Sequence, residues 1–369
     1  MTDMELIPWA KPDLWGNEGK YIAEALESTW ISGGPFVEKF EKDFSEYSHV
    51  RFSLATSNGT TAIHLAYLGL GLGPGDEIIV PGFAFMAAAN MALNIGAQPV
   101  FADVDPDTWC VTAESIEKCI TKHTKAIVPI HTYGNVCDMD SILSLGKKYG
   151  IPVIEDTAEA FTSRYKGKLA GTMGLVGTYS FQATKVITTG EGGMVTTDDE
   201  ALRDRMVMHR SHGMLRKTFY WHELPGQNFR LTNLQAAMGV AQMEKLDTII
   251  SERKRVCSKY IELLSGLDFL HLQVFPTEVD ALPWAVAMRL DPAAFPQGRD
   301  TVLQQMREKN IETRPGFYAA SLMKHIYPDA SNIPVSEEVS KQVISLPTFP
   351  TLKDDQIEYI SSTLIGLKK

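Results

Sequence analysis

The sequence predicts an α/β fold, in which a large domain with a mostly parallel, mixed sheet precedes a smaller α+β domain at the C-terminal end. Short apolar runs alternate with amphipathic segments between residues 52 and 156, a pattern typical of strands buried in a parallel sheet. A long helical segment over residues 231–264 separates this alternation from a more mixed region. Because 369 residues are enough for two cores, we expect domains of residues 1–247 and 248–369.

The periodicity predicts the elements in order. An N-terminal arm precedes helices over residues 19–28 and 36–47. Apolar runs in the large domain predict strands over 52–55, 77–80, 99–103, 126–130, 152–155, 179–181 and 194–197. The segments between them predict helices over 62–70, 85–94, 115–120 and 139–149. In the C-terminal region we expect a strand over 285–290 and helices over 299–309, 337–345 and 354–367.

Charge and cysteine usage restrict the class of protein. The net charge of −10 argues against a nucleic-acid backbone or an anionic membrane as the main partner. The four cysteines are scattered without CxxC or zinc-ligand spacing, which suits a reducing cytoplasm and predicts no metal site. The acidic N-terminus and the lack of a long apolar run favour a cytoplasmic protein without a signal peptide or membrane span.

One lysine has an unusual setting. Lys185 lies between two predicted strands, on a stretch of small, hydroxylated and glycine residues that runs from Gly177 to Met194. Partial burial on such a turn would lower the pKa of its amine and make it a better nucleophile toward an aldehyde, as a Schiff-base lysine requires. The alternative is an ordinary exposed lysine on a connecting loop.

Two further features lie where ligands gather in α/β sheets, at the carboxyl ends of strands. Asp156 ends a buried strand, and the turn from Thr56 to Thr61 opens a helix whose first amides could hold an anion. Ser57 and Asn58 could instead be only helix caps. A lysine, a carboxylate and an anion-binding turn are what pyridoxal 5′-phosphate (PLP) needs, although plain nucleotide or sugar binding fits these residues as well.

Nine ordered motifs give the chain a family resemblance over residues 8–367. They are Thr29-Trp-Ile-Ser32, Ser57-Asn-Gly-Thr-Thr-Ala62, Gly75-Asp-Glu-Ile-Ile-Val-Pro81, Gly96-Ala-Gln-Pro-Val100, Glu155-Asp-Thr-Ala-Glu-Ala160, Ser180-Phe-Gln-Ala-Thr-Lys185, Thr189-Gly-Glu-Gly-Gly193, Asn228-Phe-Arg-Leu-Thr-Asn233 and Glu312-Thr-Arg-Pro315. In this combination the sequence resembles the DegT/DnrJ/EryC1/StrS sugar aminotransferases, which are PLP enzymes of the aspartate-aminotransferase fold (PLP fold type I).

The resemblance implies a role for each matching residue. Lys185 is implied to bind the cofactor and to move the proton, with Asp156 on the pyridine nitrogen and Glu159 near the ring hydroxyl. The phosphate cup is implied to consist of Gly59, Thr60 and Ser180. Phe85 matches the aromatic residue that stacks on the cofactor ring, although an ordinary core Phe is the alternative. Asn228 matches a residue that reaches the phosphate from a neighbouring subunit, which implies a homodimer with shared active sites.

Within the family, the sequence is most similar to the branch that makes GDP-perosamine from L-glutamate and GDP-4-keto-6-deoxy-mannose. A branch with histidine at the lysine position carries out 3-dehydration, so Lys185 favours transamination. Phe181-Gln-Ala-Thr184 departs from the usual Phe-Phe-Gly-Asn, and Phe317-Tyr-Ala-Ala-Ser321 lacks the usual histidine. A UDP- or dTDP-linked sugar, amination at C3, or a keto-cyclitol therefore stays open, as does a non-catalytic PLP-binding regulator.

Other residues are weaker candidates. Trp30 could contact the nucleotide or anchor a core. Arg230 and Arg314 could grip a diphosphate or the glutamate carboxylate, or form surface ion pairs. His131 and His212 could approach the site or be structural. The basic run over residues 209–217 could border a nucleotide pocket or face solvent.

Overall fold

A computed structural model describes residues 5–214, 218 and 220–369. Its helices are α1 (Glu18–Glu27), α2 (Pro35–Ser48), α3 (Gly59–Gly69), α4 (Ala87–Asn94), α5 (Ala113–Glu117), α6 (Met139–Tyr149), α7 (Glu200–Arg210), α8 (Asn233–Glu244), α9 (Leu246–Leu264), α10 (Arg299–Glu308), α11 (Pro334–Gln342) and α12 (Asp354–Ile365). Its strands are β1 (Phe52–Thr56), β2 (Glu77–Pro81), β3 (Gln98–Ala102), β4 (Thr124–Ile127), β5 (Ile154–Asp156), β6 (Arg164–Tyr165), β7 (Lys168–Leu169), β8 (Val176–Ser180), β9 (Gly193–Thr197), β10 (Leu270–Leu272), β11 (Val279–Asp280), β12 (Ala287–Leu290), β13 (Arg314–Pro315) and β14 (Val343–Ser345).

The central sheet is mixed and mostly parallel, as predicted. Strands β3, β2 and β4 are parallel neighbours, and single parallel bridges connect the end of β4 to β5. Beyond β5 the order continues through β8 and β9 to β1, and β9 runs antiparallel to both of its neighbours. The carboxyl ends of β1, β5 and β8 therefore meet at one edge of the sheet, next to the start of β9.

The C-terminal region contains a separate antiparallel sheet in the order β10, β12, β14 and β13. Its apolar face packs against α9, α10 and α12 around a buried cluster that includes Tyr260, Met288, Met306 and Leu364. Another cluster combines large-domain residues with Ala320 and Ile333, so contacts cross the expected boundary at residue 247. The division into two domains stays a prediction.

Two element predictions were wrong. The helix expected over residues 231–264 is interrupted at Lys245, whose φ of −108° and ψ of 7° separate α8 from α9. The helix expected over residues 337–345 ends at Gln342 and is followed by β14. Val343 and Ile344 are fully buried between β12 and β13, where β-branched side chains pack better in a strand than at a helix end. No helix among the described residues is both long and apolar enough to cross a membrane.

Candidate active site

Lys185 points into a cavity of about 790 Å³ at the carboxyl edge of the central sheet. The lysine lies on the loop between β8 and β9, and its backbone N–H donates to Gln182 O (2.8 Å) to close a turn. Its Nζ lies 3.8 Å from the ring centroid of Trp284. Burial lowers the pKa of this amine, while the nearby Glu159 and Asp156 carboxylates oppose the shift. The lysine is therefore half-buried inside the cavity, and the alternative of an ordinary exposed lysine was wrong.

Two acidic side chains line the same cavity. Asp156 ends β5, and its Oδ1 accepts a hydrogen bond from the Ala158 backbone N–H (3.0 Å). Burial raises the pKa of Asp156, against the opposing effects of that hydrogen bond and of Lys185. Glu159 Oε2 accepts from the Tyr133 backbone N–H (2.8 Å), and burial raises the pKa of Glu159 to about 7. A cationic group entering the cavity would offset the cost of burying the Asp156 charge.

The N-terminus of α3 opens onto the cavity next to Ser180. Asn58 caps this helix, because its side chain accepts from the Thr61 backbone N–H (2.8 Å), so capping is confirmed for Asn58 but not for Ser57. Within the described structure, the backbone N–H groups of Gly59 and Thr60 have no protein acceptor. Two free amides at the positive end of a helix dipole form an anion site.

Gly59 lets this helix approach Ser180 closely. A Cβ atom added at Gly59 would lie 2.7 Å from Ser180 Cβ and 3.1 Å from Ser180 Oγ. The Ser180 hydroxyl is therefore held beside the free amides, at the end of β8. Gly59, Thr60 and Ser180, the phosphate cup expected from the sequence, therefore lie together on the cavity wall, and their binding of a phosphate stays a prediction.

Aromatic side chains and one arginine form the rest of the wall. Phe85 is 61% exposed and lines the cavity, with its ring 6.2 Å from that of Phe317, so it is not a core residue. Arg314 also lines the cavity and pairs with Glu312 (2.6 Å). The guanidinium remains half-exposed, and it is the one arginine among the described cavity residues.

Three expected site residues do not line this cavity. Trp30 is 64% exposed, and its carbonyl accepts from Asn233 Nδ2 (2.7 Å). Arg230 and Asn228 are exposed on the extended segment that follows α7 and bridges back to Thr56 and Ser211. Within one chain they therefore contact neither Lys185 nor the anion site.

The histidines and the basic run do not complete the cavity either. His131 is fully buried and its Nε2 is 3.0 Å from Glu155 Oε2, a structural pair beneath the site. His212 borders a separate surface depression. In the basic run, residues 215–217 lie outside the described residues.

Sequence reasoning missed Trp9, Tyr133 and Trp284, which line one wall of the cavity. Tyr133 stacks on Trp284, and Trp9 meets Trp284 edge to face. Sequence reasoning also missed Arg253, whose guanidinium donates to the carbonyl groups of Lys185 and Trp284. These residues are distant in sequence from the lysine and from each other. Only a prediction of long-range contacts could have found them.

Comparison with known proteins identifies the architecture. The model of the DegT/DnrJ/EryC1/StrS aminotransferase family matches residues 12–365. The chain belongs to this family. It is 41% identical over 362 residues to a GDP-perosamine synthase of Escherichia coli O157:H7, with 98% of each chain covered. It is 39% identical over 372 residues to a GDP-perosamine synthase of Caulobacter vibrioides, with 99% of each chain covered.

A solved structure supports the same assignment. Spr1654, a candidate sugar aminotransferase from Streptococcus pneumoniae solved in its PLP form, superposes with a TM-score of 0.92 at 25% identity, covering 98% of each chain. The protein is thus a PLP-dependent sugar aminotransferase of the aspartate-aminotransferase fold, as the sequence implied.

The residues present fit this cofactor. The free amides of Gly59 and Thr60 could donate to its phosphate group, and the buried carboxylate of Asp156 could accept from a protonated pyridine nitrogen. Lys185 has an amine of lowered pKa that could bind the aldehyde. All of these groups line the one cavity.

Proposed function

We propose that the protein transfers the amino group of L-glutamate to C4 of GDP-4-keto-6-deoxy-mannose and so makes GDP-perosamine. The observation that carries this proposal is the convergence of Lys185, Asp156 and the α3 amides on one cavity, in a chain whose curated relatives are named GDP-perosamine synthases. The cavity of about 790 Å³ lies within the usual size range for small-molecule sites. The product would supply an amino sugar for O-antigen or another glycan.

In this proposal each residue has a defined task. When bound, PLP supplies an electron sink for the carbon that loses or gains the amino group. Lys185 Nζ takes a proton from the α-carbon of glutamate and, in the second half of the cycle, returns one to C4 of the sugar. With the cofactor bound, Asp156 would keep the ring nitrogen protonated, Gly59, Thr60 and Ser180 would hold the phosphate, and Glu159 and Phe85 would contact the ring.

Arg314 is the proposed anchor for a substrate anion. Its guanidinium borders the cavity and could grip a glutamate carboxylate or a diphosphate in a bidentate geometry. Neither Trp30 nor Arg230 lines the cavity of its own chain. They would contact substrate only if they reached the cavity of a neighbouring subunit.

The function is tested by glutamate-dependent turnover. Purified protein is incubated with L-glutamate and a panel of GDP-, UDP- and dTDP-linked 3-keto and 4-keto sugars and a keto-cyclitol, and products are identified by mass spectrometry and NMR. We expect 2-oxoglutarate and a 4-amino sugar with the GDP substrate, and no turnover by Lys185→Ala. A clear preference for another acceptor would refute the sugar assignment, and a failure to aminate any acceptor would favour a regulator.

We further propose a cytoplasmic homodimer in which Asn228 of one subunit completes the phosphate site of the other. Asn228 is exposed and does not line the cavity of its own chain, which supports this arrangement. The test mixes the inactive Lys185→Ala chain with an Asn228→Ala chain in hybrid dimers. If the site is shared, one site of each hybrid regains both residues and wild-type turnover. If Asn228 acts within its own chain, the hybrid recovers nothing beyond the Asn228→Ala activity.

A further inference from the structure

The ammonium group of Lys185 is held by an aromatic ring. We propose that Trp284 is a platform for the Lys185 ammonium and that Arg253 is a positioning residue that ties this platform to the lysine loop. The proposal rests on the proposed catalytic role of Lys185 and assigns new roles to two residues distant from it in sequence.

The platform is defined by geometry. Lys185 Nζ lies 3.8 Å from the Trp284 ring centroid, well inside the range of cation–π attraction. Within the described residues no carboxylate oxygen lies within 4.0 Å of this Nζ, so the ring is its close partner. Asp156 and Glu159 line the same cavity without forming an ion pair with this ammonium.

The Trp284 ring is fixed on several sides. Its Nε1–H donates to the carbonyl of Thr184 (2.7 Å), the residue before the lysine. Tyr133 stacks on it with ring centroids 6.0 Å apart, and Trp9 meets it edge to face at 5.2 Å. A ring held in this way cannot turn out from under the lysine without breaking these contacts.

Arg253 connects the backbone at Trp284 to the backbone at Lys185. It is only 3% exposed, and its Nη1 and Nη2 groups donate to the carbonyls of Trp284 (3.2 Å) and Lys185 (3.3 Å). No carboxylate among the described residues lies within 4.0 Å of this guanidinium, and its Nε has no hydrogen-bond partner. A buried charge without an acidic partner is costly, so its placement against the lysine backbone calls for a functional explanation.

The two residues act on the lysine in opposite directions. The ring face of Trp284 stabilises the ammonium form, whereas the positive charge of Arg253 disfavours it. The other charged groups that face Lys185 are Glu159 and Asp156, which both favour the ammonium form. Trp284 thus holds the Lys185 amine in place whenever that amine carries no cofactor. Arg253 lowers the proton affinity of the same amine.

The test measures the amine itself in the cofactor-free full-length protein. Competitive acetylation with trace acetic anhydride across pH, read by mass spectrometry, gives the titration midpoint of Lys185, with the exposed Lys42 as an internal control. We expect Trp284→Leu to lower the midpoint by about half to one pH unit, and Trp284→Phe to restore most of the difference. Arg253→Met should raise the midpoint by about half a unit, and Arg253→Lys should leave it near the wild-type value.

A downward shift in Trp284→Leu and an upward shift in Arg253→Met would support both proposed roles. A general loosening of the fold would instead expose Lys185 and raise its midpoint in both variants. Unchanged midpoints, or shifts of the same sign, would overturn the proposal. If Trp284→Leu does not fold, the Trp284→Phe variant still has to show a smaller downward shift. The measurement uses neither substrate nor cofactor, so its outcome is independent of whether the proposed aminotransfer to a GDP-sugar is correct.

Discussion

Substitution of Gly59 by alanine tests the anion site at the N-terminus of α3. The added methyl group would lie 2.7 Å from Ser180 Cβ, whereas carbon atoms in contact normally stay about 3.5–4.0 Å apart. The helix start and Ser180 must therefore separate by roughly 1 Å. A hydrogen bond lengthened by that amount from about 2.9 Å no longer counts as one.

The expected magnitude follows from the lost hydrogen bond. A hydrogen bond to a charged group contributes about 1.5–3 kcal/mol, so the affinity for PLP should fall by about 10- to 150-fold. The assay is a fluorescence titration of the cofactor-free protein with PLP, together with its thermal unfolding temperature. Overpacking should also destabilise the protein by about 1–3 kcal/mol.

A matched control is available in α1. Gly19 also lies in the first turn of a helix, but a Cβ atom added there would meet nothing within 4 Å. Gly19→Ala should keep wild-type affinity and stability. If Gly59→Ala bound PLP as tightly as Gly19→Ala does, the assignment of the α3 amides and Ser180 to the phosphate site would be wrong.

Three further substitutions test the other walls of the cavity. Burial raises the pKa of Asp156, so its charged form costs stability at pH 8, and Asp156→Asn should raise the unfolding temperature of the cofactor-free protein at that pH. The same substitution should lower turnover by about 10²- to 10⁴-fold. Unchanged turnover would exclude a role at the ring nitrogen. Burial raises the pKa of Glu159 from 4.5 to about 7, so the wild type should lose stability as pH rises through this window. By urea unfolding, the wild type should lose up to about 3 kcal/mol of unfolding free energy between pH 5 and pH 8. Glu159→Gln, which can still accept from the Tyr133 amide, should not show this loss. If the two proteins lost stability in parallel, the burial argument would be wrong. Arg314→Gln should raise KM for an anionic substrate by about 10-fold or more with little change in kcat, and a fall in kcat alone would argue against an anchoring role.

The sequence predicted features that depend on local chemistry. Helix α6 begins and ends where its pattern indicated, and Asn58 caps α3 as its residue type suggested. The apolar strand ending in Asp156 and the loop that carries Lys185 were also recognised, because burial of a strand shows in a short window of sequence.

Features that depend on long-range packing were missed. The local pattern around Val343 and Ile344 fits a helix or a strand about equally. Their pairing with β12 and β13, which the local sequence does not show, makes this segment a strand. Trp284 lies far along the chain from Lys185, and no local signal in its segment indicates that its ring meets an ammonium group. The expected contact of Trp30 and Arg230 with the site rested on residue type alone, and neither lines the cavity.

The central claim is that Lys185 is the lysine that binds PLP in the cavity at the sheet edge. Borohydride reduction of the PLP-loaded protein, followed by trypsin digestion and mass spectrometry, tests it directly. Reduction should fix the cofactor on Lys185 and block cleavage there, which gives an uncut peptide of residues 169–203. A label on another lysine, or a label that persists in Lys185→Ala, would contradict the account.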